Sequence, residues 1–152
     1  MSNQPDFTLY DRQGRPAAFV EVKNLLNTSP EWAARYRQNL MGHGLFRGAK
    51  YVIFVTPDRM YFWDGQDLKG LDAPAAPTPP SCIADARAVL RPYFERTRLT
   101  PDRISSEAFE LIVLDWLSDL VHARDVVPQG WLSDSGLLDS IKGGRVDFDA
   151  AA

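Results

Sequence analysis

Residues 5–24 read PDFTLYDRQGRPAAFVEVKN. Two runs in this stretch, PDFTLY (5–10) and AAFVEVK (17–23), are rich in β-branched and aromatic residues and flank the turn-rich DRQGRP. They predict a β-hairpin with Gln13 and Gly14 as its loop, the glycine taking the positive φ that a tight turn requires. The register then follows by counting. Arg12 opposes Arg15, Tyr10 opposes Ala17, Thr8 opposes Phe19, and Asp6 opposes Glu21; a four-residue RQGR loop gives the same pairing. Opposed side chains on paired strands have Cβ atoms ~4.5–5.5 Å apart. Two carboxylates held that close repel each other unless a cation sits between them. Mg²⁺ suits such a place, since it prefers oxygen ligands and commonly takes one or two carboxylates plus water and phosphate oxygens. Lys23, two residues past Glu21, falls on the same face of its strand, where it can orient a water or neutralise charge on a phosphate. Glu-x-Lys alone is common on solvated strand ends, and that plain reading competes with the functional one. The conjunction with Asp6 in register, closing an otherwise apolar AAFV strand, favours chemistry.

Outward from the hairpin, residues 29–43 predict a helix. Ser29 or Thr28 can cap it, Pro30 suits its first turn, and Trp32, Tyr36 and Leu40 recur every fourth residue. YVIFV (51–55) is a continuous apolar run of the kind that forms a strand covered on both faces, and MYFW (60–63) pairs back on it after TPDR. Residues 66–80 form a Pro-rich linker. The remainder, 81–152, reads as a helical extension of a single 152-residue domain. One stripe runs through Ile83, Ala86, Leu90 and Phe94. A second, Phe109, Ile112, Val113, Trp116, Leu117 and Leu120, predicts a helix over 105–123. A short helix near 133–142 and a final strand at 145–148 (RVDF) complete the expectation.

Composition restricts the function classes. The chain carries 17 Lys/Arg against 20 Asp/Glu, for a net charge of -3, which argues against a generally basic nucleic-acid binder. The charge is unevenly spread, with residues 1–60 holding eight basic and five acidic side chains and the rest nine and fifteen. A phosphate-bearing partner should therefore meet the first half. One cysteine, Cys82, excludes an internal disulfide and a cysteine-based zinc site. No apolar run approaches the ~20 residues that span a bilayer, and no signal-peptide pattern opens the chain. A cytoplasmic location without membrane contact is the expectation by elimination. His43 and His122 read as helix-end residues, Asp115 and Asp119 as solvated, and Trp116 as core.

Residues 5–65, from PDFTLYDRQGRPAAFVEVKN through YVIFVTPDRMYFWDG, resemble the PD-(D/E)xK nuclease superfamily, especially the N-terminal nuclease domain of type I restriction enzyme R subunits. The resemblance implies an α/β fold with a mixed central β-sheet, flanking helices and a restriction-endonuclease-like core at 5–65. It implies that Asp6, Glu21 and the Val22 backbone carbonyl bind Mg²⁺ or Mn²⁺, and that Lys23 is the catalytic lysine. Some members add a Gln or Tyr from the next helix, which makes Gln38 and Tyr36 candidates, although Tyr36 also fits the helix's apolar stripe. The family core opens with a helix and a strand, and that helix often supplies another acidic residue. Here only four residues precede Pro5, so the core is either abbreviated or permuted. In the permuted form, residues 145–148 fill a gap expected between the Asp-bearing strand and YVIFV, within one chain or from a second.

Two functions are thereby expected. One is metal-dependent hydrolysis of DNA phosphodiesters, with Arg12, Arg15, Arg35, Arg37, Gln38, Arg47 and Lys50 as candidate DNA contacts. The other is a catalytically silent nuclease-fold module that binds nucleic acid or serves as a protein-interaction subunit. A homodimer, or a partner subunit completing the sheet, is compatible with either.

Overall fold

The computed structural model describes residues 4–46, 48, 50–65, 76–124 and 126–148. Arg47 and most of the Pro-rich linker lie outside the described residues. The architecture is α/β, with one six-stranded mixed sheet and helices on both faces. The chain runs β1 (Phe7–Tyr10), β2 (Pro16–Val22), α1 (Pro30–Gly42), β3 (Tyr51–Val55), β4 (Arg59–Asp64), β5 (Cys82–Asp85), α2 (Ala86–Thr97), α3 (Ser106–Val121), α4 (Gly130–Asp134), α5 (Leu137–Ile141) and β6 (Arg145–Phe148). The strand order is β5-β4-β3-β2-β1-β6. Only β2 and β3 are parallel; every other neighbouring pair is antiparallel.

The hairpin forms as its residues dictate. Thr8 pairs with Phe19, Phe7 with Val20 and Leu9 with Ala18, the expected register, while Tyr10 pairs with Pro16 instead of Ala17. The extra residue is a bulge next to the turn. There the Asp11 carboxylate accepts the backbone N–H groups of Gln13 and Arg15, and Gly14 adopts φ +81°. These bonds tighten the loop and take up Ala17 before the ladder begins. Helix α1 is capped by Ser29, whose hydroxyl accepts the Trp32 N–H, with Pro30 in its first turn. As a crossover connection, α1 returns the chain so that β3 lies parallel to β2.

Strand β3 is buried along its whole length. Tyr51, Ile53 and Val55 face a core built with α2, α3 and α5; Val52 and Phe54 face a smaller one under α1 with Phe46, Tyr61 and Trp63. The stripe expected on α3 is buried in full, from Phe109 to Leu120, and Ser105 caps it.

Three expectations are corrected. No gap separates the hairpin from YVIFV, because β2 pairs directly with β3; residues 145–148 join the sheet instead on the outer edge of β1. Ile83 is not helical. It lies on edge strand β5 with its side chain exposed, since residues 82–85 pair with β4 and the helix starts only where Asp85 caps it. The C-terminal half is thus not purely helical, as it supplies both edge strands. Asp119 is not solvated; it accepts the Tyr93 hydroxyl at 2.6 Å. No described helix is long and apolar enough to cross a membrane.

Strand β6 is held where Gly144 crosses β1 so closely that a Cβ there would lie 1.8 Å from the Tyr10 carbonyl oxygen. Both atoms that would collide belong to backbone or Cβ, so only a main-chain shift relieves the clash. Gly144→Ala should therefore lower stability by about 2 kcal/mol or more. Urea unfolding of the two proteins checks this, and equal midpoints would show that β6 is not seated as described.

Candidate functional site

At the end of the hairpin away from its turn, the carboxylates of Asp6 and Glu21 each accept a backbone N–H from the opposite segment. The Asp6 N–H donates to Glu21 Oε1 at 3.0 Å, and the Val22 N–H donates to Asp6 Oδ2 at 2.8 Å. Continuing the ladder from Phe7–Val20 places the two residues opposite each other, as counted from the sequence. Glu21 and Lys23 share the face of β2 that carries Phe19, which packs into the cluster under α1. The Lys23 ammonium stands over the Tyr36 ring, 5.1 Å from its centroid. Tyr36 is both core and site wall, since its other contacts are edge-on to Phe54 and Trp32.

The Val22 carbonyl can be placed by strand geometry. Lys23 donates its N–H to Val55 on β3, whereas Val22 donates to Asp6 on the β1 side. An extended residue turns its N–H and C=O the same way. The Val22 carbonyl therefore aims toward Asp6 as well, and the site lies at the carboxyl ends of the parallel pair β2 and β3. In open α/β sheets this is where ligands are commonly held.

Burial and the neighbouring carboxylate act together on Glu21. Glu21 is 6% exposed. Burial, and then the neighbouring Asp6 charge, push its carboxyl up to about 7, against the Asp6 backbone N–H and Lys23, which favour the anion. Burial acts to lower the Lys23 ammonium, but Tyr36, Glu21 and Asp6 together outweigh it and hold it above the usual lysine value. Lys23 is thus a fixed positive charge at neutral pH.

A residue that the sequence reading passed over feels the charge of this site. Glu110, on α3, has its carboxyl raised by partial burial and then by the charge of Asp6, while Lys23 pulls it the other way. It sits one position off the buried stripe, and only the packing of α3 against β6 and β1 brings it toward Asp6. No sequence signal distinguishes it from Glu107, three residues earlier.

Among the described residues, the candidate DNA contacts are spread over the hairpin turn, α1 and the start of β3. Arg12 and Arg15 are exposed at the hairpin turn, and Lys50 is exposed just before β3. At ~3.4 Å per residue, the turn lies more than ~13 Å from the carboxylates along β1. Arg35 is exposed on α1 and lines an open groove with Pro30, Glu31, Ala34, Pro77 and Pro79. Gln38 is half-buried. Arg37 is corrected: it is 7% exposed, with its guanidinium 5.4 Å from the Trp63 ring centroid, and burial lowers its pKa. A helix position facing the sheet buries whatever residue it carries, and here the aliphatic stem and planar head suit the aromatic cluster. His43 and His122 lie at the ends of α1 and α3, and His122 Nδ1 is 2.8 Å from the Ser118 carbonyl oxygen.

Oxygen donors at this position fit a hard divalent cation of the Mg²⁺ or Mn²⁺ type. A carboxylate has about four lone-pair sites, so accepting one backbone N–H leaves capacity for a metal. Among the described residues, no three His, Cys, Asp or Glu side chains are grouped to hold a metal by themselves. Such a cation would therefore draw further ligands from the Val22 carbonyl, water or substrate. No protein-family model, curated protein or solved structure matches the chain.

The raised Glu21 pKa has a stability consequence with a definite sign. The folded state holds this proton more tightly than the unfolded chain, whose value is near 4.5. Folding stability is therefore lost as pH rises from about 4.5 to about 7, by on the order of 3 kcal/mol. Glu21→Gln removes that loss, so the variant should gain on the wild type between pH 5 and pH 8. Denaturant unfolding at both pH values tests it; an unchanged difference between the two proteins contradicts the assignment.

Proposed function

We propose that the chain is a Mg²⁺- or Mn²⁺-dependent nuclease of the PD-(D/E)xK kind that hydrolyses DNA phosphodiester bonds. The observation that carries this reading is the pair of carboxylate–backbone bonds across the hairpin end, Asp6 N–H to Glu21 and Val22 N–H to Asp6, with Lys23 on the Glu21 face. The short helices α4 and α5 lead into β6, which lies antiparallel on the Asp-bearing strand, while α3 packs across the same two strands. The permuted core expected from the sequence would set that strand between the hairpin and YVIFV, so the reading rests on the site and not on the topology. Glu110, on α3, would supply the further acidic residue that nucleases of this kind often take from a helix.

In this reading Asp6, Glu21 and the Val22 carbonyl would hold the metal, which would supply Lewis-acid polarisation of the phosphate and activation of a water. Glu21 would hold such a cation as the carboxylate anion, so affinity would rise with pH as its raised pKa is passed. The Lys23 ammonium neutralises charge building on the phosphate oxygens and orients the attacking water. The Tyr36 ring beneath it restricts the lysine's rotamers and keeps the ammonium on the site face.

A second reading, a catalytically silent module that binds DNA or a protein partner, is favoured by one observation. The described residues contain no three-ligand metal group.

Two measurements separate the readings. Mg²⁺-dependent cleavage should appear on at least one of supercoiled, linear duplex or single-stranded DNA, and Lys23→Ala should reduce it by about 10²-fold or more. No cleavage of any form with either metal, or equal cleavage by Lys23→Ala, rejects catalysis. Calorimetric titration should show Mn²⁺ binding that Asp6→Asn abolishes and Lys23→Ala retains, and equal affinity in wild type and Asp6→Asn would refute the metal site.

A further inference from the structure

Strand β6 ends the sheet, and among the described residues no strand pairs with its outer side. Which of its backbone groups face outward follows from the ladder. Lys23 bonds to β3, so Phe19 and Glu21 also turn toward β3, and Ala18 and Val20 turn toward β1. Their partners Leu9 and Phe7 therefore face β2, and Thr8 and Tyr10 face β6, where they pair with Asp147 and Arg145. The N–H and C=O groups of Val146 and Phe148 are left pointing to the open edge.

The side chains of β6 repeat in a self-complementary way. Arg145 and Asp147 lie on the face away from α3, 3.4 Å apart, with the Arg145 guanidinium 4.1 Å from the Tyr10 ring centroid. Val146 packs against the main core, and Phe148 stays 56% exposed, meeting only the edge of Phe7 among the aromatic rings. Charged residues on a short edge strand commonly keep edges apart. Opposite signs at alternate positions reverse that effect for one partner, a second copy of the same strand. An antiparallel pair centred on Val146 sets each Arg145 against the other strand's Asp147. It also sets Phe148 against Gly144, which has no side chain, a pairing in which an aromatic ring covers a glycine. Centring on Arg145 or Asp147 would oppose like charges, and centring between Val146 and Asp147 would oppose Arg145 to Phe148. The favourable charge register is also the one in which the outward-facing backbone of Val146 meets its own copy.

We propose that β6 pairs antiparallel with β6 of a second copy about a two-fold axis at Val146, joining two six-stranded sheets into one. The interface is isologous, as a closed two-fold dimer requires. A two-fold axis normal to the sheet keeps both Asp6–Glu21 sites on the same face. Counting five strand spacings sets the two β2 strands roughly 24 Å apart, and the sites, displaced in opposite directions along them, roughly 30 Å apart. The inference rests on the sheet edge alone and stands whether or not the site is a nuclease. Four-residue pairing buries less than a standard interface, so association should be concentration-dependent.

Sedimentation equilibrium of the full chain tests it. The wild-type mass should rise from monomer toward dimer as concentration goes from low micromolar to near millimolar. Arg145→Asp and Asp147→Arg should each weaken association by about tenfold, and the double variant R145D/D147R should recover it, because unlike charges again oppose. Val146→Pro removes an outward N–H while leaving the β1 bonds of Arg145 and Asp147, and it should abolish the dimer with the near-ultraviolet circular dichroism of the fold unchanged. A wild type that is monomeric at every concentration overturns the proposal, as does a double variant no better than the singles. Should Val146→Pro fail to fold, the charge-exchange series decides alone.

Discussion

The parallel pairing of β2 with β3 is the constraint on which the rest of the molecule depends. Parallel neighbours cannot be joined by a short turn, so α1 must cross one face of the sheet between them. That crossing buries Trp32, Tyr36 and Leu40 against Phe54, Tyr61 and Trp63, and it leaves β3 covered on both faces. It also puts the carboxyl ends of β2 and β3 side by side. The loop from Asn24 to Ser29 must then pass over that end, where the Asn24 amide donates to the Ile104 carbonyl and the Asn27 N–H to Asp58. Glu21, Val22 and Lys23 meet there because β2 runs out at the place where the crossover begins.

A second consequence is electrostatic. Strand β2 is flanked by β1 and β3 and nearly closed to water, so Glu21 loses hydration that its single backbone donor does not replace. An isolated buried carboxylate next to another one is unfavourable for folding. The fold tolerates it because the large apolar core, with Trp116, Phe109 and Leu117 fully buried, supplies stability elsewhere. Residues that lower stability locally while their surroundings hold them in place are what a ligand-binding site requires. The same logic gives Lys23 its fixed charge, with an aromatic ring below it and two carboxylates beside it.

The C-terminal half does two separate jobs. Its helices α2 and α3 close the main core, with the Tyr93 hydroxyl bonded to Asp119 and the Phe94 and Phe109 rings stacked between them. Its two strands extend the sheet at opposite edges, β5 beside β4 and β6 beside β1. The edge at β6 borders the hairpin that carries Asp6, so whatever occupies that edge also bounds the candidate site.

Much of this was legible in local pattern. The register from Thr8–Phe19 to Asp6–Glu21, the cap at Ser29, the doubly covered YVIFV strand and the α3 stripe all follow from turn chemistry and periodicity. These depend on contacts between residues close in sequence or on burial averaged over a face. What the tertiary structure alone decided are contacts made across the sheet between distant segments. Arg37 is buried because α1 happens to turn that position onto Trp63, although Arg35, equally basic and two residues earlier, is exposed. Ile83 becomes an edge strand because β4 offers it backbone partners, overriding an apparent helical stripe. Residues 145–148 took the outer edge of β1 because β2 and β3 were already joined, and Glu110 was carried toward Asp6 by the angle at which α3 crosses those strands. Periodicity encodes which face of an element is buried; it contains no term for which other element will cover it.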